Sequence, residues 1–177
     1  HLTIYAFSKD NLKKRFNNEI NNIFKLLKSY LHINISYFKK YKIKLNFIGE
    51  IQSLPISIRK MLIQSVEEHK KFKPKLTLNV AINYSSKTEI LKSVKMLIKN
   101  KKKLNVSNIE KYLFTAKSGH PEIIIRTGGY KRLSDFLLWQ AAYSELFFKN
   151  KLWPDFKVID LQNILKKFLK IKRNFGK

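Results

Sequence analysis

Residues 123–148 read IIIRTGGYKRLSDFLLWQAAYSELFF, and the fold and chemistry both turn on this stretch. Ile123-Ile124-Ile125 is a short apolar run with the length of a buried strand. It passes directly into Arg126-Thr127-Gly128-Gly129, then Lys131, Arg132 and Ser134. The spacing predicts an amphipathic helix over Phe136–Tyr143 and a further short strand over Glu145–Phe148. A strand that ends in Arg, a glycine pair and an Arg-x-Ser helix start is a way to build an anion site. Backbone N–H groups, a hydroxyl and two guanidinium groups can converge there.

Outward from this stretch the same alternation repeats. A strand is expected over Leu2–Ala6 and a long helix from about Asp10 towards Lys40, with Ile20, Ile23, Phe24, Leu27 and Leu31 as its stripe. Ile43–Ile48 alternates as a strand closed by Gly49. A helix opens near Leu54-Pro55, where proline is well tolerated. Leu76–Ile82 is a third strand, and Thr88 to about Lys99 a helix. Ser107 is a candidate cap for a short helix through Tyr112. Glu122–Arg126 is the fourth strand, and Asp160 to about Lys172 the last helix. Strands alternating with helices predict an α/β single domain over 1–177 with a mostly parallel central sheet flanked by helices.

The chain has 177 residues, no cysteine and a formal net charge of +25. The length suits one domain with a substantial core. The cysteine count excludes a disulfide framework and a thiolate metal site. No apolar run approaches the roughly 18–20 residues that span a bilayer. The charge has two readings. Clustered Lys and Arg attract nucleic-acid phosphate. Alternatively, Lys, Asn and Ile are abundant together because their codons are A/T-rich, and Lys71, Lys73, Lys75 and Lys101–Lys103 are solvated loop charges. The compositional reading is the stronger. A basic surface would still favour anionic lipid.

Five blocks in order closely resemble the cis-prenyltransferases, the family of undecaprenyl and dehydrodolichyl diphosphate synthases. Tyr5-Ala6-Phe7-Ser8-Lys9-Asp10-Asn11 is similar to the family's Tyr-Ala-Phe-Ser-x-Glu-Asn block. Asn46-Phe47-Ile48-Gly49-Glu50 resembles its Ile-Gly-Asp motif. Leu76 to Tyr84, Arg126 to Phe148 and Leu152-Trp153-Pro154-Asp155-Phe156 complete the set. His120-Pro121-Glu122 and Arg132-Leu133-Ser134-Asp135 look more like the eukaryotic branch.

The resemblance implies a cis-prenyltransferase fold with a hydrophobic tunnel, walled by the long helix and the helix from Pro55. It implies condensation of isopentenyl diphosphate onto an allylic diphosphate, with farnesyl diphosphate as the expected starter. The product would be a long polyprenyl diphosphate for dolichol-type carriers. Arg126, Arg132 and Ser134 would bind the isopentenyl diphosphate, because a guanidinium fork pairs two oxygens at once. Glu145 would be a Mg²⁺ ligand. Phe7, Ser8 and Asn11 would line the reaction centre, with Arg15, which keeps the spacing to Glu19, favoured over Lys14, which keeps the spacing from Asn11, as the basic residue beside them. A homodimer or a heterodimer with a related subunit is implied, built around Phe136 to Phe156. So is peripheral contact with the cytoplasmic face of the endoplasmic reticulum membrane.

Each candidate also has a plain structural reading. The arginines could make surface ion pairs, and Glu145 could be a solvated helix-end carboxylate. Ser8 could simply cap a helix, and Phe7 could pack in the core.

Several positions depart from the family pattern. No strand with an Asp-Gly-Asn-x-Arg-Arg loop occurs. Since His1 already lies in a strand, that first strand, its phosphate loop and a second metal carboxylate are expected ahead of it. Leu12 replaces an aromatic residue. Tyr130 stands where the family commonly has Glu, and Ser85-Ser86-Lys87 where it has Gly-Gly-Arg. Arg173-Asn174-Phe175-Gly176 resembles the Arg-x-Gly tail, with Asn174 at the aligned Arg position. Two other functions stay open: a non-catalytic family subunit that activates a partner, and a basic nucleic-acid-binding protein.

Overall fold

The structure, a computed structural model, describes residues 1–68 and 73–173. Contacts between residues divide the chain into two compact units, His1–Ser118 and Gly119–Lys177.

The first unit is built on three parallel strands. They are β1 (Leu2–Ser8), β2 (Ile43–Ile48) and β3 (Leu76–Tyr84), in the order β1-β3-β2. As the central strand, β3 is buried from Asn79 to Tyr84 and is nearly continuous in apolar residues, as parallel strands covered on both faces are. The polar level at Asn79 is fully hydrogen-bonded. Asn79 pairs in register with Thr3 and Asn46. Its amide accepts from Asn46 Nδ2 at 2.8 Å and donates to Thr3 Oγ1 at 3.1 Å and Ser118 Oγ at 3.0 Å. A one-residue slip of either outer strand would strand this buried amide, so the ladder of polar groups specifies register.

Helices α1 (Lys9–Lys14), α2 (Asn17–Lys40), α3 (Ile56–Glu67), α4 (Ser86–Lys99) and α5 (Val106–Glu110) complete this unit. Phe24, Leu31 and Phe38 recur every seven residues along α2 and are buried. They join Phe7, Leu45, Leu54, Leu62, Val80 and Ile82 in one apolar cluster, flanked by Leu27, Ile58 and Met61. Each such side chain contributes about 1.5–3 kcal/mol when fully buried.

Three details differ from the sequence reading. The long helix is broken at Arg15 and Phe16, both extended (ψ 152° and 147°). Asn17 and Asn18 follow, and Asn favours helix ends because its side chain competes for the backbone. β1 runs on to Ser8 and β3 to Tyr84. The cap of α5 is Asn105, which accepts from Asn108 N at 2.8 Å, and not Ser107. Lys71 lies outside the described residues.

The second unit holds the parallel pair β4 (Ile123–Arg126) and β5 (Glu145–Phe148), then α6 (Val158–Phe168). Among the described residues the strands pair as two parallel sheets, β1-β3-β2 and β4-β5. The helix expected over Phe136–Tyr143 does not form. Ser134, Asp135 and Leu137 have φ of 50°, 62° and 48°, which no right-handed helix accepts, and only a 3₁₀ turn at Gln140–Tyr143 follows. Burial of Leu137 and Gln140 holds this irregular path in place. α6 starts at Val158, two residues earlier than expected. Asp160 accepts from the Lys157 backbone N–H at 3.0 Å and pairs with Lys151 Nζ at 2.8 Å.

Candidate active site

In the first unit the candidates gather where β1 leaves the sheet. The β1 register slips after Tyr5 and again after Phe7, an irregularity that re-aims side chains at a strand end. Phe7 turns into the apolar cluster and meets the Phe24 ring edge-on, with centroids 6.4 Å apart. Ser8 caps α1, its Oγ accepting from Asn11 N at 3.0 Å. Arg15 closes the helix through its N–H to the Asn11 carbonyl. Its side chain is exposed, 3.9 Å from the Glu19 carboxylate. Phe7, Ser8 and Asn11 are therefore brought to one turn, and the Arg15 guanidinium points to the surface pair with Glu19.

The same strand ends carry groups that sequence reasoning did not single out. Lys9 Nζ bridges Glu50 at 2.9 Å and Thr88 Oγ1 at 3.1 Å. Asn83, at φ 50°, donates to the Glu50 carbonyl and Ser53 Oγ, and its buried Oδ1 meets no donor. Carboxyl ends of parallel strands are where open α/β sheets bind ligands. The Lys9-Asp10 and Gly49-Glu50 pairs just past strand ends were the available signal.

In the second unit, Arg126, Arg132 and Ser134 come together at the carboxyl end of β4. Arg126 Nη1 donates to Ser134 Oγ at 2.7 Å and to the Arg132 carbonyl. Its Nε is buried without an acceptor. The Tyr130 ring is close to both guanidiniums: Cζ of Arg132 is 4.2 Å from the ring centroid and Cζ of Arg126 is 5.8 Å. Tyr130 thus joins the candidate cluster, although the sequence marked it only as a departure.

One expectation is corrected here. The Gly128 and Gly129 N–H groups do not face an anion. They donate to the Lys151 and Lys149 carbonyls at 2.8 and 3.0 Å, continuing the β4–β5 ladder. The glycines serve by backbone freedom, with φ of 89° and 80°.

Glu145 is at the other end of that ladder. It pairs with Ile123, while Arg126 pairs with Phe148. Three residues of strand span about 10 Å. The half-buried Glu145 carboxylate lies 3.9 Å from Arg173 Nε. Arg173 also donates to the Tyr143 carbonyl at 2.8 Å. Among the described residues, no group of three or more His, Asp or Glu could cage a metal. Glu145 offers one hard oxygen donor. That fits a Mg²⁺ ion held mainly by substrate phosphates and water, and does not fit an all-protein site. Asn174 and Gly176 of the tail lie outside the described residues.

A family model described as "Putative undecaprenyl diphosphate synthase" matches residues 1–176. The chain is 37% identical to the isoprenyl transferase of Clostridium tetani, over 99% of this chain and 71% of that one. It is 39% identical to a ditrans,polycis-undecaprenyl-diphosphate synthase ((2E,6E)-farnesyl-diphosphate specific) of Wigglesworthia glossinidia brevipalpis, over 99% and 70%. The crystal structure of a probable undecaprenyl diphosphate synthase from Campylobacter jejuni matches with a TM-score of 0.91 and 34% identity, covering 99% of this chain and 83% of that one. Lavandulyl diphosphate synthase from Lavandula x intermedia shares the fold, with a TM-score of 0.91 at 24% identity over 99% and 78% of the two chains.

The chain belongs to the undecaprenyl diphosphate synthase family, the cis-prenyltransferases. It is an enzyme that elongates isoprenyl chains.

Proposed function

We propose that this enzyme condenses isopentenyl diphosphate onto farnesyl diphosphate to make a long cis-polyprenyl diphosphate for a glycosyl carrier lipid. The observation that carries this reading is the Arg126–Ser134–Arg132 cluster at the end of β4, with a buried Arg126 Nε that has no acceptor. A buried donor left unpaired calls for an explanation, and an anionic ligand supplies one.

In the reaction the allylic carbon–oxygen bond breaks and pyrophosphate leaves. The isopentenyl double bond attacks the cationic carbon, and a proton then departs to leave the new double bond. Arg126, Arg132 and Ser134 hold the isopentenyl diphosphate by charge-assisted hydrogen bonds and fix its double bond for attack. Phe7, buried in the apolar cluster, keeps water from the cation. Ser8 and Asn11 sit at the turn beside it and hydrogen-bond phosphate or the departing proton. Arg15, exposed beside Glu19, would reach the reaction centre only by leaving that pair. Glu145 would hold Mg²⁺, which neutralises phosphate charge when bound. The growing hydrocarbon lies between α2 and α3, whose facing side chains are apolar.

Two products are in view. The dolichol-type reading rests on His120-Pro121-Glu122 and Arg132–Asp135. The undecaprenyl reading rests on the bacterial relatives' names. Reversed-phase separation of products made from farnesyl diphosphate decides it. Chains longer than undecaprenyl support the first reading, and chains stopping at undecaprenyl overturn it.

Peripheral membrane contact, at the cytoplasmic face of the endoplasmic reticulum, is part of the proposal. No described helix is long and apolar enough to cross a membrane. Leu26, Tyr30, Ile33 and Tyr37 form an exposed stripe along α2, continued by Tyr41 just past its end, beside exposed Lys25, Lys28, Lys39 and Lys40. Flotation with anionic vesicles that leaves the protein at the bottom of the gradient would count against it. Association through the aromatic segment Phe136–Phe156 is proposed as well, as a homodimer or with a related subunit.

A further inference from the structure

Two like charges share one aromatic ring in this site. The Tyr130 ring centroid is 4.2 Å from Cζ of Arg132 and 5.8 Å from Cζ of Arg126. Arg126 has its own anchors, Ser134 Oγ and the Arg132 carbonyl. Among the described residues the Arg132 guanidinium meets the ring and no hydrogen-bond acceptor. Tyr130 is 56% exposed, so the ring is not placed there to fill a core. Its backbone position is fixed from behind. Gly128 and Gly129, at positive φ, are tied to the Lys151 and Lys149 carbonyls immediately before it.

The electrostatics favour this arrangement. The negative face of an aromatic ring attracts a guanidinium and offsets part of the repulsion between two of them. A ring contact also consumes none of the N–H donors that a diphosphate needs. Without the ring, the Arg132 guanidinium would be free to move away from the anchored Arg126.

We propose that Tyr130 is a positioning residue for diphosphate binding, its ring face seating the Arg126 and Arg132 guanidiniums side by side so that they meet one diphosphate as a pair. This rests on the reading above that the two arginines bind isopentenyl diphosphate.

The test uses the enzyme expressed from its full coding sequence, with Arg126→Ala, Tyr130→Phe, Tyr130→Leu and Tyr130→Gln. Equilibrium binding of isopentenyl diphosphate is measured without allylic substrate, followed by KM for both substrates and kcat. Tyr130→Leu and Tyr130→Gln should each bind roughly three- to tenfold more weakly. Their KM for isopentenyl diphosphate should rise, with KM for the allylic substrate, kcat at saturation and melting temperature unchanged. Tyr130→Phe keeps the ring and should bind within about twofold of wild type. Wild-type affinity in the Leu and Gln variants, while Arg126→Ala binds weakly, would overturn the role of Tyr130 alone. Equal weakening in the Phe variant would also overturn it, since the hydroxyl and not the ring would then act. Wild-type affinity in Arg126→Ala as well would remove the diphosphate site itself.

Discussion

Arg126 donates from Nη1 to Oγ of Ser134 at 2.7 Å, closing a turn in which neither glycine N–H is free. The guanidinium is therefore pinned before any ligand arrives, which reduces the entropy lost on binding. Arg126→Ala and Arg132→Ala should each weaken isopentenyl diphosphate binding by about 1.5–3 kcal/mol, the usual scale of a charge-assisted contact. Ser134→Ala should cost less, since it removes one neutral partner of Arg126. Steady-state kinetics at saturating allylic substrate measures all three.

Glu145→Gln should cut turnover sharply and flatten the response to Mg²⁺. The amide keeps the size and loses the charge that opposes a hard cation. In the structure this carboxylate faces Arg173 at 3.9 Å. Near-normal turnover at all Mg²⁺ concentrations would take Glu145 out of the site.

Gly49→Ala should destabilise the first unit by at least about 2 kcal/mol. Gly49 has φ 125°, and an added Cβ would lie 2.1 Å from the Ile82 carbonyl oxygen. That oxygen belongs to the central strand and cannot move without disturbing β3. Chemical denaturation is the measurement, and an unchanged midpoint contradicts it.

Asp160 links the second unit to pH. The Lys151 ammonium hydrogen-bonded to it holds its carboxyl below the usual range, with the Lys157 N–H adding to the effect. A pKa lowered on folding means this contribution is fully present above the unfolded value and is lost as pH falls through the folded value. Wild type should therefore lose stability on the acid side more steeply than Asp160→Asn. Parallel acid-unfolding curves for the two proteins would refute this.

Tyr143, Leu152 and Trp153 are largely exposed, and Trp153 stacks on Phe156 at 6.0 Å. Such a surface suits an interface, where aromatic residues are enriched. Light scattering should report a dimer at micromolar concentration, and Trp153→Ala should shift it towards monomer. A wild-type monomer contradicts the association.

Much of this was legible in the sequence, and the parts that were not share a cause. Apolar period fixed β2, β3, β4 and the α2 stripe, because burial enforces it. The Arg126–Arg132–Ser134 convergence was legible because the residue types demand an anion. What escaped depends on backbone angles and on partners distant in sequence. Phe136–Tyr143 has a helical pattern, but positive φ at Ser134, Asp135 and Leu137 overrides it. The glycine N–H groups looked available until the Lys149 and Lys151 carbonyls were seen to take them. The ring contacts of Tyr130 have no signature in a linear pattern, and neither has the Lys9–Glu50 pair.

The most direct test is incorporation of radiolabelled isopentenyl diphosphate by the enzyme from its full coding sequence. Farnesyl diphosphate, Mg²⁺ and any related subunit are supplied, and Arg126→Ala with Arg132→Ala runs beside wild type. Wild type should make polyprenyl products with cis double bonds, and the double variant should make little at substrate levels that saturate wild type. Equal incorporation by the double variant, or none by wild type, would contradict the account.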